Sequence, residues 1–168
     1  MERHYLLPMN PDRAPLVLFV CTGNQIRSPL SAAIFRRRLS ESGLQDRYRV
    51  ESAGTWTPPG QFDPLARITA LQMGLDIEEH RSRLIDRDIL MEACLVIVME
   101  LGQKEALEVE YPQVRGKVHL LSRLAGEPPY NIIDPAGHGL ENYLQTGEEL
   151  LRLMNSAFEK ICRYLRKC

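Results

Sequence analysis

The residues best suited to do chemistry lie together in one short run, Cys21-Thr22-Gly23-Asn24-Gln25-Ile26-Arg27-Ser28. The run leaves an apolar stretch that reads as a buried strand and enters a Ser-Pro pair that reads as a helix start. A helix N-terminus presents unpaired backbone N–H groups and a partial positive charge, so it is an anion site. Gly23 and Asn24 tolerate left-handed backbone, which lets the loop amides turn inward as a nest. Arg27 can grip two oxygens of a tetrahedral oxyanion in a geometry that lysine does not offer. A thiol inside such a cup is expected to be a thiolate at neutral pH. Beneath a bound phosphate it is placed for in-line attack, giving a cysteinyl-phosphate. Arg27 and the amides of residues 22–28 would stabilise the equatorial oxygens. Ser28 is expected to steady the sulfur and to cap the helix. The competing reading is an ordinary glycine-bearing turn with a small buried cysteine.

Departure of an alkoxide or phenoxide requires a proton, and Asp134 is the candidate donor. It stands in Asn131-Ile132-Ile133-Asp134-Pro135, a loop expected over the same sheet edge as the cysteine. Spacing alone also allows a plain Asp-Pro turn.

The elements that must position these groups alternate. Leu16–Val20, Tyr48–Ala53, Leu95–Met99 and Val118–Leu121 read as strands, the first and third as continuous apolar runs. Between them, a helix from Ser28-Pro29 buries Leu30, Ile34 and Leu39 and stops near Gly43. Asp63-Pro64 starts a second, with Leu65, Ile68 and Leu71 at helical spacing. Asp86 caps a third, and Gln103–Glu110 suits a fourth that Pro112 ends. A long terminal helix carries Leu140, Leu144, Leu151, Met154, Phe158, Ile161 and Leu165 on its apolar face. This pattern predicts an α/β three-layer sandwich, a parallel sheet with helices on both faces, whose ligands bind beyond the carboxyl ends of the strands.

Composition narrows the function. The 168 residues suit one domain, with 44% apolar and 26% charged positions. Balanced charges, 21 basic against 22 acidic, give no electrostatic footprint for nucleic acid. No apolar run approaches the roughly 20 residues a membrane helix needs, and residues 1–14 lack a secretory pattern. The four cysteines, Cys21, Cys94, Cys162 and Cys168, form no close pair, so they are expected to stay reduced in a cytoplasmic, monomeric protein. Cys94 reads as core, with Cys162 and Cys168 on the terminal helix. The histidines are scattered and suggest no metal or other cofactor.

Val20-Cys21-Thr22-Gly23-Asn24-x-x-Arg27-Ser28-Pro29 resembles the signature of the low-molecular-weight protein tyrosine phosphatases. The resemblance continues through Ser52-Ala53-Gly54-Thr55, Asp63-Pro64, His80-Arg81-Ser82-Arg83 and Ile133-Asp134-Pro135, and covers the chain from Pro15 onward. It implies a phosphatase domain at residues 15–168 behind an extension at 1–14. It also implies the four-stranded phosphotyrosine protein phosphatase I-like fold. Metal-free hydrolysis of phosphotyrosine in a protein, or of a small phosphomonoester, would use Cys21, Arg27 and Asp134. Asn24 and Ser52 would be hydrogen-bonded supports of the loop. Three positions depart from the pattern. Ile26 replaces a second cysteine that protects the nucleophile, Ala136 replaces an aromatic residue, and Gln25 matches neither the aliphatic residue that goes with phosphotyrosine nor the threonine that goes with phosphoarginine. Trp56 and Tyr130 are candidates for a substitute aromatic wall. A protein arginine phosphatase is the first alternative. An arsenate reductase lacks its cysteine relay after the third strand, and a non-catalytic phosphate-binding module would have no need of a thiol.

Overall fold

Leu16–Cys21 (β1) is buried along its whole length, as its unbroken apolar run requires of a strand covered on both faces. In the computed structural model, which describes residues 14–56, 60 and 62–168, β1 lies between β2 (Arg49–Gly54) and β3 (Leu95–Val98). β4 (Val118–Leu120) completes a parallel sheet in the order β2-β1-β3-β4. The expected 1–14 extension falls, but for Ala14, outside the described residues.

Alternate residues of β1 serve opposite layers. Val17 and Phe19 pack with α1 (Arg27–Glu41) and α6 (Leu140–Leu165), while Leu16, Leu18 and Val20 pack with α3 (Arg87–Glu92) and α4 (Leu101–Glu110). The small helices α2 (Pro64–Gln72) and α5 (Leu121–Leu124) also contact α6. Asp63 caps α2 by accepting from the Leu65 and Ala66 N–H groups, and Asp86 caps α3 through Ile89 N–H. These are the caps the sequence announces.

Four expectations change. Helix α1 begins two residues early, with Ile26 at the cap and no side-chain cap bond, so Ser28 is inside the helix. In α2 the large residues Ile68 and Leu71 face outward, 39% and 62% exposed, while Ala66, Thr69 and Ala70 are buried. The reason is close approach to α6: a Cβ on Gly147 would lie 2.6 Å from Met73 Sδ and 3.2 Å from Thr69 Cγ2, so small side chains set the contact. The same contact turns α6, whose buried face is Tyr143, Gly147, Leu150, Met154, Ala157 and Ile161; Leu140, Leu144 and Leu151 lie at its margin. Finally, the thiols are not all reduced. Cys94, just before β3, forms a disulfide with Cys168, which lies beyond the end of α6, their Cα atoms 6.0 Å apart. Cys21 and Cys162 remain free and buried.

Candidate active site

The turn from β1 into α1 is built around Asn24, fully buried and at φ 50°, the left-handed conformation its short polar side chain tolerates. Its backbone N–H donates to Cys21 Sγ (3.2 Å). Its Nδ2 donates to Ser28 Oγ and Ser52 Oγ, each at 2.9 Å, and its Oδ1 accepts the Arg83 N–H at 3.0 Å. Its carbonyl accepts from His80 Nε2 at 2.7 Å, which assigns the ring proton to that nitrogen. Burial holds the His80 imidazole below its ordinary pKa, and Arg36, Arg81 and Arg83 add to this. Gly54 lets the loop come this close to β2, because a Cβ there would stand 2.6 Å from the Thr22 carbonyl oxygen. Gly23, in contrast, does not use a positive φ.

Ser28 leaves the helix uncapped and serves the sulfur instead, its Oγ 3.0 Å from Cys21 Sγ. The Asn24 N–H and the Ser28 hydroxyl therefore both lie within hydrogen-bond reach of the sulfur.

Arg27 is 1% exposed and spans two carboxylates, as a buried guanidinium must to offset its desolvation. Nη1 donates to Glu100 Oε1 (2.5 Å) and to the Ile132 carbonyl (2.8 Å), and Nη2 donates to Asp134 Oδ2 (3.0 Å). Its Nε has no partner among the described residues. The other Asp134 oxygen accepts the Ala136 N–H. Cys21, Gly23, Gln25, Ile26, Arg27, Asp63, Asp134 and Ala136 line one pocket of about 130 Å³ at the carboxyl end of β1.

Cysteine, arginine and aspartate thus meet around one cavity, although Asp134 is more than a hundred residues from the loop. The aromatic wall does not form. Trp56 donates its backbone N–H to the Thr22 carbonyl (3.0 Å) but its ring is 75% exposed and does not line the pocket. Tyr130 points to α6, where its hydroxyl donates to Glu149 (2.7 Å); burial and that carboxylate push its pKa up to about 12. Sequence reading missed Glu100, Gln103 and His80 as members of the site and took Asp63 only for a cap. Glu100 had one usable signal: it closely follows a fully buried strand, hence stands at the ligand-binding edge. Gln103 had only the Glu-x-x-Gln spacing of a capping box, which points to a helix start and not to its contact with Thr22.

Residues 16–167 match the family model described as low molecular weight phosphotyrosine protein phosphatase. The chain is 28% identical over 146 residues to the protein-arginine-phosphatase of Bacillus subtilis, covering 86% of this chain and 95% of that one. It is 33% identical over 120 residues to the probable low molecular weight protein-tyrosine-phosphatase EpsP of Ralstonia nicotianae, covering 71% and 77%. Among solved structures, the YwlE mutant from Bacillus subtilis superposes with a TM-score of 0.82 at 27% identity, over 89% of this chain and 99% of that one. The low molecular weight protein tyrosine phosphatase of T. tengcongensis gives 0.81 at 33% identity, over 88% and 99%. The chain belongs to the low molecular weight phosphotyrosine protein phosphatase family.

Proposed function

We propose that the protein hydrolyses phosphomonoesters, phosphotyrosine in proteins foremost, through a phosphate held covalently on Cys21. The observation that carries this reading is the shared cavity of Cys21, Arg27 and Asp134, beside which the buried Arg27 Nε has no partner among the described residues. A phosphate dianion seated there supplies an acceptor for Nε and competes with Asp134 for Nη2. Asp134 is then released toward the leaving oxygen. The Cys21 sulfur forms a bond to phosphorus as the phosphorus–oxygen bond breaks, and Asp134 gives its proton to the departing oxygen. Loop amides and Arg27 hold the charge of the equatorial oxygens. In the second step Asp134 takes a proton from water, the water oxygen attacks phosphorus, and the sulfur departs with inorganic phosphate released. No step calls for a metal. The reading extends to a cytoplasmic monomer with neither nucleic acid nor membrane as partner; near-neutral charge supports the first exclusion, and no described helix is long and apolar enough to cross a membrane.

Turnover of p-nitrophenyl phosphate tests the reading. Cys21→Ser should lose at least about 10⁴-fold in kcat, as removal of a nucleophile does elsewhere. Asp134→Ala should slow hydrolysis most for poor leaving groups and accumulate phosphate on Cys21, seen by mass spectrometry. Equal slowing for all leaving groups would remove Asp134 from the acid role.

A second substrate reading, phosphoarginine, is favoured by the pocket lining. Gln25, Ala136 and Asp63 stand where a phenyl ring would find no aromatic neighbour, and relatives named protein-arginine-phosphatase align over most of the chain. Rates on phosphotyrosine and phosphoarginine peptides decide between them.

A further inference from the structure

Gln103, on the first turn of α4, is 6% exposed and uses both ends of its amide. Oε1 accepts the backbone N–H groups of Met99 and Glu100, both at 3.0 Å. Those two donors fix which end of the amide is oxygen. Nε2 therefore faces the site, donating to Thr22 Oγ1 at 3.1 Å and toward Glu100 Oε1 at 3.4 Å. The same Glu100 oxygen receives Arg27 Nη1. The acceptor end thus closes the start of a helix, an ordinary structural task. The donor end joins the two parts that have to stay in register around a phosphate, the lip of the loop at Thr22 and the carboxylate that aims Arg27.

We propose that Gln103 is a positioning residue for the phosphatase reaction, its amide N–H₂ holding Glu100, and through it Arg27, against the phosphate loop. The proposal rests on the functional reading above. Arg27 contributes to rate only if its free donors meet the equatorial oxygens at the right angle. Glu100 is 34% exposed, and its carboxylate is held by Arg27, by the Gln103 side-chain amide and by the Gln103 backbone N–H of the capping box. Without the amide, Glu100 can swing toward water and take the guanidinium with it.

Gln103→Glu separates the two ends. It keeps an acceptor for the Met99 and Glu100 N–H groups, removes the donor, and sets a second carboxylate beside Glu100. In the folded variant kcat should fall about tenfold near neutral pH with KM little changed, the scale of one lost hydrogen bond to a charged group. The charged groups around position 103 are Glu100, then Arg27 from α1 and Asp134 beyond it. As pH falls, one of the two adjacent carboxylates takes up a proton and again offers a donor. The ratio of variant to wild-type kcat should therefore rise toward pH 5. Gln103→Met, neutral at every pH, should lose kcat with a ratio that stays flat, and it remains available if the Glu variant does not fold. A folded variant with kcat within twofold of wild type, or identical pH ratios for the two variants, overturns the proposal. A wild-type enzyme inactive on every phosphorylated substrate overturns the functional reading instead.

Discussion

At the carboxyl end of β1 one asparagine makes five polar contacts in a left-handed conformation, whereas at the amino end of β3 one covalent bond joins Cys94 to the last residue of the chain. The first region is polar and cooperative, and buried at Asn24 and Ser28: Asn24, Ser28, Ser52, His80 and Arg83 define where Cys21 sits, and none of them is apolar. The second contributes no chemistry. It closes a loop around β3, β4, α4 and α6, and it acts with the Phe19–Phe35–Phe158 packing that fills the layer between sheet and helices. A polar network specifies one geometry at small net stability, because each hydrogen bond replaces one with water. Apolar burial and cross-linking stabilise without specifying. Perturbing the two ends should therefore move different observables.

Opening the disulfide should have the largest effect on stability. It spans 74 residues, and loop-closure entropy for that length sets an upper value of about 4 kcal/mol. A Cys168→Ser variant, or the wild type under dithiothreitol, should unfold at distinctly lower temperature in calorimetry while kcat at 25 °C stays the same. In a reducing compartment the bond is open, so the compartment fixes how much of this stability the cell enjoys. If kcat falls together with the midpoint, the two ends are not independent and the contrast fails.

That bond also marks the limit of what the sequence makes legible. The Cys21–Ser28 loop, the Asp63 and Asp86 caps and four parallel strands follow from local signals, because each depends on neighbours a few residues away. The Cys94–Cys168 pair depends on where the chain returns after 74 residues, and no spacing rule reports that. Period told that α6 exists but not which face is buried, since Gly147 and the small residues of α2 decided the rotation. Asp134 was reachable through the resemblance, while its bond to Arg27 Nη2 was not. Tyr130 looked like a pocket residue by position and is drawn away by Glu149, a partner on a helix that sequence could not place opposite it.

Gly54→Ala reverses the pattern. The added methyl carbon would stand 2.6 Å from the Thr22 carbonyl oxygen and 3.1 Å from the Asn24 backbone nitrogen. Backbone, not a flexible side chain, has to move, and it is the backbone whose amides are proposed to hold phosphate. A shift of this kind costs about 100-fold in kcat/KM, or ~2.7 kcal/mol. Overpacking at one site costs stability by about 1–3 kcal/mol. Inhibition by inorganic phosphate or vanadate should weaken in parallel with catalysis, since both use the same donors. Retention of full activity would mean that the loop tolerates displacement and is not the specified region.

The smallest effect concerns His80, whose neutral ring donates to the Asn24 carbonyl from a partly desolvated position beside Arg36, Arg81 and Arg83. Its folded pKa lies below the ordinary 6.5, so on acidification the unfolded chain takes up this proton first. The stability it contributes is complete above pH about 6.5 and declines as pH falls toward the folded value. His119, lowered by burial as well, adds to the same decline from the opposite edge of the sheet. His80→Gln preserves an N–H donor for the Asn24 carbonyl and does not titrate. Melting temperatures between pH 8 and pH 5 should therefore fall less for the variant than for the wild type, with carboxylate protonation common to both. Parallel curves would show that the ring carries no pH-dependent load. The polar end would then hold its geometry through Ser28, Ser52 and Arg83 without help from the imidazole.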